Sequence, residues 1–237
     1  MDRSFLSDPA VIAASREFVC VRLATYESQA ERDVLAEIYV GGSGDVENTT
    51  FAILEPDGRT LMSRAARATR QVFGSPSYMA EYMEWAAEVC DGHDDPTPGL
   101  PTTANVRLGV NIAACDGLPL VVVNGDDALA ARVAVLAWGP LLGRCVFARV
   151  SAEEDLGAIE GNTSPGVFVV QPGTYGQTGH VLQHVASNAD DLPAQVLAGV
   201  ATHRTEAKTR DHVHTGRRQG VHWDTQIPVT DPHAPRR

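Results

Sequence analysis

The carboxyl-terminal part of the sequence concentrates side chains that bind metal ions readily. Five of the eight histidines fall within the last 35 residues, and one residue separates His212 from His214. Alternate residues of an extended strand point to the same side, so a strand here would place both imidazoles on one face. His222 and Asp224 repeat this spacing, and residues 215–220 are typical of a hairpin loop. Antiparallel pairing of the two segments would bring these four side chains together.

Three imidazoles and one carboxylate form a ligand set that suits Zn²⁺, Cu²⁺ or non-haem Fe²⁺. A ligating imidazole also needs an acceptor for its second nitrogen, and Asp211 or Asp224 would supply one. The sequence therefore allows two interpretations of this segment. It is either a transition-metal site made of the four residues, or a solvated segment with scattered histidines, some of which stack on Trp223.

The charge of the chain is unevenly distributed. The net charge is −11, yet residues 203–237 contain seven Lys and Arg against four Asp and Glu. This basic segment either lies along the acidic body or meets an anionic partner. Arg217 and Arg218 are candidate binding residues, because paired guanidinium groups clamp a carboxylate or phosphate.

The composition narrows the class of protein. An apolar content of 43% is sufficient for packed cores, and no apolar run approaches the roughly 20 residues that cross a bilayer. The amino terminus lacks the apolar stretch of a secretory signal. A net negative charge disfavours binding to nucleic acid, whose phosphates attract a basic surface. We therefore expect a soluble, cytoplasmic protein that does not bind nucleic acid.

The cysteines do not form a redox motif. They are Cys20, Cys90, Cys115 and Cys145, and no two of them are arranged as Cys-x-x-Cys. Ordinary dithiol–disulfide exchange is therefore not expected. Cys20 and Cys145 lie within apolar runs, which predicts that both behave as small buried hydrophobic residues.

Residues 1–90 are predicted to form a first α/β unit. Its predicted elements are a helix at 8–17, a buried strand at 18–24, a helix at 28–40, a hairpin of strands 49–55 and 59–63, and a helix at 76–90. In the last helix, Met79, Tyr82, Met83 and Trp85 are spaced as a core stripe. Three prolines and two glycines make residues 91–103 the predicted linker.

Residues 104–204 are predicted to form a second α/β unit with a similar order of elements. They comprise a helix at 104–115, a strand at 118–124, an apolar helix at 128–142, a strand at 145–150, a short helix at 152–159, a hairpin at 165–171 and 179–185, and a helix at 190–204. Each unit places a strand–turn–strand segment before its last helix, which indicates an internal repeat of pattern. The basic, His-rich segment 205–237 follows as an extension.

Both units resemble the thioredoxin fold. SDPAVIAASREFVCVRL is similar to the end of that family's long active-site helix and its central strand, and TTFAILEPDGRTL is similar to the following segment. LPLVVVN supplies the strand before the long helix in the second unit. The resemblance implies two thioredoxin-like α/β units in tandem, the first truncated, followed by the His-rich extension.

The resemblance also indicates where the family's dithiol would lie in this sequence. The family's dithiol lies at the start of the long helix, where the sequence here is NGDDALA, and Asp126 and Asp127 look like helix-capping residues. The family's cis-proline corresponds to Thr50 in the first unit and to Pro165 in the second. A retained Pro165 either shapes a peptide-binding groove or is a remnant of the fold.

Two functions follow from these patterns. The first is a redox-inactive thioredoxin-like binding or scaffold module that engages a protein partner or a second copy of itself as a homodimer, with no cofactor. The alternative is a metalloprotein or metal-dependent enzyme that uses the His-x-His segment with zinc, copper or iron.

Overall fold

The computed structural model divides into two compact units. They are Met1–Asp95 with Asp224–Arg237, here called the helical unit, and Pro96–Trp223, called the sheet unit. The residues described are 5–41, 44, 46, 50–90, 99–151, 153–205, 208–209 and 211–229, with the backbone alone described for 153–155. Most of the predicted linker, at 91–98, lies outside the described residues.

Four helices form the regular structure of the described helical unit. They are α1 (Pro9–Ala14, continued by a 3-10 turn at Ser15–Glu17), α2 (Gln29–Ile38), α3 (Thr69–Phe73) and α4 (Pro76–Val89). The side chains of Asp8, Ser28 and Ser75 each accept a backbone N–H of the first turn, at the starts of α1, α2 and α4. Such caps fix where a helix begins. The predicted helices at 8–17, 28–40 and 76–90 are confirmed with shorter bounds.

The core of the helical unit forms where α1 packs against α4. Val11, Phe73, Met79 and Met83 are buried there, so the two methionines of the predicted core stripe are confirmed. Trp85, from the same stripe, remains 48% exposed. The stripe is wider than the contact surface, because α4 has a core on one side only.

The predicted buried strand at 18–24 is wrong. The segment has no regular structure and joins no strand among the described residues, and the exposed fractions of Val19 and Val21 are 70% and 72%. The predicted hairpin that follows is present only as the isolated antiparallel bridges Phe51–Ala66 and Leu54–Leu61. The described part of the helical unit thus offers no sheet that 18–24 joins, and a tandem of two like units stays a prediction.

A mixed five-stranded sheet organises the sheet unit. The strands are β1 (Leu120–Asn124), β2 (Val146–Arg149), β3 (Ile159–Glu160), β4 (Gly166–Pro172) and β5 (Gly179–Ala186), in the order β2-β1-β4-β5-β3. β1 is parallel to β2 and antiparallel to β4, with Leu120 opposite Val146 and Val170. β4 and β5 form an antiparallel hairpin, and β3 is parallel to β5. The predicted strands of the second unit are confirmed.

Helices cover both faces of this sheet. α5 (Val106–Asp116) packs with Leu120, Val122 and Phe168, while α6 (Asp127–Ala137) and α7 (Leu192–Thr202) pack with Val121 and Val123. Side chains alternate along a strand, so a β1 of consecutive buried apolar residues serves both layers. The described architecture is therefore mixed α/β, as the sequence predicts.

The predicted carboxyl-terminal hairpin is wrong. Residues His212–Arg218 form a helix, α8, and residues 215–218 of the predicted loop contribute its second half. Gly216 packs against the Tyr175 ring so closely that a Cβ atom would lie 2.9 Å from Cε1. The helix is therefore favoured by a tertiary contact that sequence periodicity does not record.

No helix among the described residues is both long and apolar enough to cross a membrane.

Candidate functional site

The start of α6 is built from carboxylates. Asp126 Oδ1 accepts the Leu129 backbone N–H at 2.9 Å, which confirms its predicted capping role. Asp127, the next residue, pairs with Arg149, whose Nη1 lies 2.6 Å from Oδ1. Arg149 also donates to the Gly125 carbonyl at 3.1 Å. The free N–H groups and positive dipole of this helix end are thus matched by acidic side chains rather than a thiolate.

The loop that carries Pro165 satisfies its own main-chain groups. Asn124 Nδ2 donates to the Thr163 carbonyl at 3.0 Å, and the Ser164 N–H donates to Asn162 Oδ1 at 3.1 Å. His184 Nε2 lies 3.1 Å from the Ser164 carbonyl oxygen. An extended peptide laid here would compete with these internal contacts for the same groups.

The resemblance to the thioredoxin fold implies a cis bond before Pro165, and this expectation is wrong. No peptide bond among the described residues is cis, and the loop makes its hydrogen bonds with this bond trans. Pro165 itself is exposed. It directly precedes Gly166, where a Cβ atom would lie 2.3 Å from the Val185 carbonyl oxygen. A close approach of β4 to β5 therefore shapes this corner.

Two of the four thiols, Cys20 and Cys145, are poorly suited to nucleophilic chemistry. Burial raises the pKa of Cys145 to about 12, against a smaller opposing effect of Arg144. Partial burial raises the pKa of Cys20, whose Sγ lies 3.8 Å from the Ser15 carbonyl oxygen. The thiolate is the reactive form, so a raised pKa lowers the reactivity of both groups at neutral pH. Cys20 is nevertheless largely exposed as a residue, so the prediction that it is buried is wrong.

The histidines of α8 do not share a face. His212 stacks on Tyr175, with ring centroids 4.8 Å apart, and His214 is exposed. Residues two apart on a helix point in nearly opposite directions, so the strand geometry assumed for the metal site is wrong. Asp224 belongs to the helical unit, whereas His222 belongs to the sheet unit.

No group of three or more His, Cys, Asp or Glu placed to hold a metal ion occurs in the part of the chain that the structure describes. Metal binding by His212, His214, His222 and Asp224 therefore stays a prediction, without a preformed site to support it. Arg217 and Arg218 are both exposed, and Arg218 Nη2 lies 3.5 Å from Thr215 Oγ1.

The described part of the basic segment in the sheet unit docks on the carboxyl-terminal end of α5. His203 Nε2 and Thr205 Oγ1 lie 3.1 Å and 2.8 Å from the Gly117 carbonyl oxygen. Lys208 Nζ donates to the carbonyls of Ala114 and Cys115. This agrees with the alternative that the segment lies along the body. The sequence predicted attraction between the basic segment and the acidic body. It did not predict that the groups accepting these hydrogen bonds are backbone carbonyls.

A small cleft of about 40 Å³ lies between these groups. His203, Arg204, Lys208 and His212 line it, which resembles an anion site in composition. The carbonyl end of a helix carries negative partial charge, however, and favours cations. Of these groups, His203 and Lys208 therefore act as caps of α5.

A row of aromatic rings on α4 escaped the sequence interpretation. Tyr82 lies between Tyr78 and Trp85, at ring-centroid distances of 6.4 Å and 5.1 Å. Tyr78 is 51% exposed. The i, i+4, i+7 spacing was visible in the sequence, but the side of the helix that faces the core was not.

No family model, curated protein or solved structure matches this chain.

Proposed function

We propose that this chain is a thioredoxin-like binding or scaffold module that works without thiol chemistry and associates with a second copy of itself. The order β2, 3-10 helix Glu153–Ala158, antiparallel β4–β5 hairpin and α7 supports the likeness, because the family's carboxyl-terminal half has the same strand–helix–hairpin–helix order, with only the two-residue β3 added before the hairpin. Carboxylates occupy the helix start where the dithiol would lie. The raised pKa of Cys145 supports redox inactivity.

The observation that carries the binding role is the exposed segment Val19-Cys20-Val21. Its two valines are 70% and 72% exposed. None of its backbone groups forms a hydrogen bond with another described residue. β-Branched residues whose backbone groups lack a protein partner favour addition of a strand from another chain. Strand addition would satisfy the backbone groups and cover the valines together.

The segment is self-complementary, which supports a second copy as the occupant. In antiparallel pairing centred on Cys20, Val19 of one chain lies opposite Val21 of the other. Phe18 then lies opposite Arg22. Each cross-strand pair of this kind contributes roughly 0.2–1 kcal/mol. The arrangement is the isologous contact of a twofold dimer, and its short length implies weak association.

Sedimentation velocity over a range of protein concentrations tests the proposal. We expect a dimer fraction that rises with concentration, and loss of that fraction in Val19→Lys/Val21→Lys. Val34→Lys on α2 is a matched control, because Val34 is also exposed, at 40%. Its dimer fraction is expected to equal that of the unsubstituted protein. A chain that is monomeric at every concentration, or a dimer that the double substitution leaves intact, contradicts the proposal.

Cross-linking checks the register. Cys115 is the other exposed cysteine, so the experiment uses a Cys115→Ser background. Mild oxidation is expected to give a disulfide-linked dimer through Cys20, because the twofold register places the two Cys20 residues opposite each other. Cross-linking no faster than in Val19→Lys/Val21→Lys would contradict this register.

A further inference from the structure

The outer side of α4 carries two parallel rows of side chains. Tyr78, Tyr82 and Trp85 follow i, i+4, i+7 spacing and form the aromatic row. Glu81 and Glu88 are seven residues apart and exposed, so they lie along one side of that row. We call this surface the acidic aromatic face.

Contacts of the central ring, Tyr82, with the core of the helical unit fix the position of the aromatic row. The Tyr82 hydroxyl donates to the Met62 carbonyl at 2.6 Å. The Tyr82 ring also contacts Phe73, with centroids 5.4 Å apart, and Phe73 is buried. Tyr78 and Trp85 flank this anchored ring and are 51% and 48% exposed. The exposed rings therefore form a preorganised platform, which lowers the entropy lost on binding.

The acidic row is uncompensated. Glu81 and Glu88 are exposed and take part in no ion pair with another described residue. Val89, 54% exposed, extends the apolar surface at the end of the helix. The face thus combines ring surfaces with carboxylates that attract a cation.

We propose that the acidic aromatic face binds an arginine-rich segment of a partner protein. A guanidinium group stacks flat on Trp or Tyr and at the same time donates two parallel hydrogen bonds to a carboxylate. An ammonium group is not planar and cannot donate two parallel hydrogen bonds to one carboxylate. Arginine therefore fits this pair of rows better than lysine. The role is separate from strand addition at Val19–Val21, since it involves other residues and another occupant.

Titration with fluorescein-labelled hexa-arginine and hexa-lysine peptides, read by anisotropy, tests the proposal on the full chain. About 150 mM salt limits the long-range attraction that a net charge of −11 exerts on any polycation. We expect hexa-arginine to bind more tightly than hexa-lysine. Trp85→Leu is expected to weaken hexa-arginine about three-fold, the size of an exposed cation–π contact.

A charge-matched pair of variants separates the face from bulk charge. Glu81→Gln/Glu88→Gln is expected to weaken hexa-arginine about five-fold. Glu37→Gln/Glu160→Gln removes the same charge from exposed positions on α2 and β3 and is expected to change binding less than about two-fold. Equal losses in the two pairs would show non-specific attraction and overturn the proposal.

Tyr78→Leu guards against a folding artefact at Trp85. Both substitutions replace exposed rings, and circular dichroism with thermal unfolding identifies a variant that fails to fold. If Trp85→Leu fails, Tyr78→Leu is expected to weaken hexa-arginine by a similar factor. Unchanged binding in a folded ring variant, or equal binding of the two peptides, overturns the proposal. Neither result depends on whether the chain dimerises through Val19–Val21.

Discussion

The ammonium group of Lys208 donates a hydrogen bond to the backbone carbonyl of Cys115, 2.8 Å away, although the two residues lie far apart in the sequence. Lys208 also donates to the Ala114 carbonyl in the same last turn of α5. A helix leaves its last carbonyls without internal partners and carries negative partial charge there. The segment that follows α7 thus caps the carboxyl-terminal end of α5, the first helix of the sheet unit.

Replacing Lys208 with methionine is expected to lower the free energy of unfolding by about 1 kcal/mol, because two carbonyls lose a charged donor. Urea denaturation measures the change. Arg217→Met removes the same charge from an exposed position on α8 and is expected to have little effect. Equal losses in the two variants would mean that net charge, rather than the cap, explains the result.

The two acidic residues at the start of α6 are expected to differ in their contribution to stability. Asp126→Ala removes the hydrogen bond to the Leu129 N–H and is expected to cost about 1 kcal/mol. Asp127→Ala removes a short ion pair with Arg149, but the Asp127 side chain is 94% exposed. An exposed pair of this kind contributes roughly 0–1 kcal/mol. Thermal unfolding compares the variants, and a larger loss in Asp127→Ala would contradict this ranking.

The strands and helices of the sheet unit were predicted well because the apolar pattern of each segment matches its burial in the fold. Leu120–Val123 is an unbroken apolar run, and all four residues are fully buried between two helical layers. The apolar run of α6 likewise identified a helix buried on the sheet. Local pattern and tertiary packing agree in these elements.

The same reasoning failed at 18–24 because a strand requires a neighbouring strand. Val19-Cys20-Val21 has the same β-branched pattern as β1, but its backbone is unpaired in the described chain. α8 failed for a related reason. A seven-residue segment carries little periodicity, and its conformation depends on the contact between Gly216 and Tyr175. The absence of a neighbouring strand at 18–24 and the contact of Gly216 with Tyr175 both depend on distant parts of the chain, so neither can be predicted from the segment itself.

The stability of the fold is expected to fall at alkaline pH because of Cys145. Burial raises the pKa of this thiol in the folded chain to about 12, against an ordinary value of about 8.5. At pH values below the ordinary pKa, the folded and the unfolded chain both hold the thiol proton, and the contribution of Cys145 to the free energy of unfolding is fully present. As pH rises above it, the unfolded chain loses the proton while the folded chain keeps it, so the free energy of unfolding decreases.

Urea unfolding between pH 8 and 10.5 measures this decrease. Cys145→Ala is expected to show a shallower decline with pH than the unsubstituted chain. The comparison uses slopes, so a constant packing loss in the variant does not affect it. Lysine and tyrosine titrations are shared by the two proteins. Identical slopes would contradict the raised pKa.

Gly199 is expected to be required for the packing of α7 on the sheet. A Cβ atom here would lie 2.7 Å from Gln183 Cβ and 3.0 Å from Val169 Cγ2. Gln183 Cβ is attached directly to the backbone of β5, so it cannot rotate away. Alanine would gain up to about 1 kcal/mol in helix propensity, but overpacking costs roughly 1–3 kcal/mol. We therefore expect Gly199→Ala to lower the free energy of unfolding.

Gly157→Ala is the matched control for this substitution. A Cβ atom at Gly157 would meet no described heavy atom within 4 Å, so the variant is expected to be neutral or slightly more stable. Urea denaturation distinguishes the two outcomes. If Gly199→Ala proves as stable as Gly157→Ala, then α7 sits farther from β4 and β5 than these distances require. If it is less stable, the helix is held at a separation that only glycine permits.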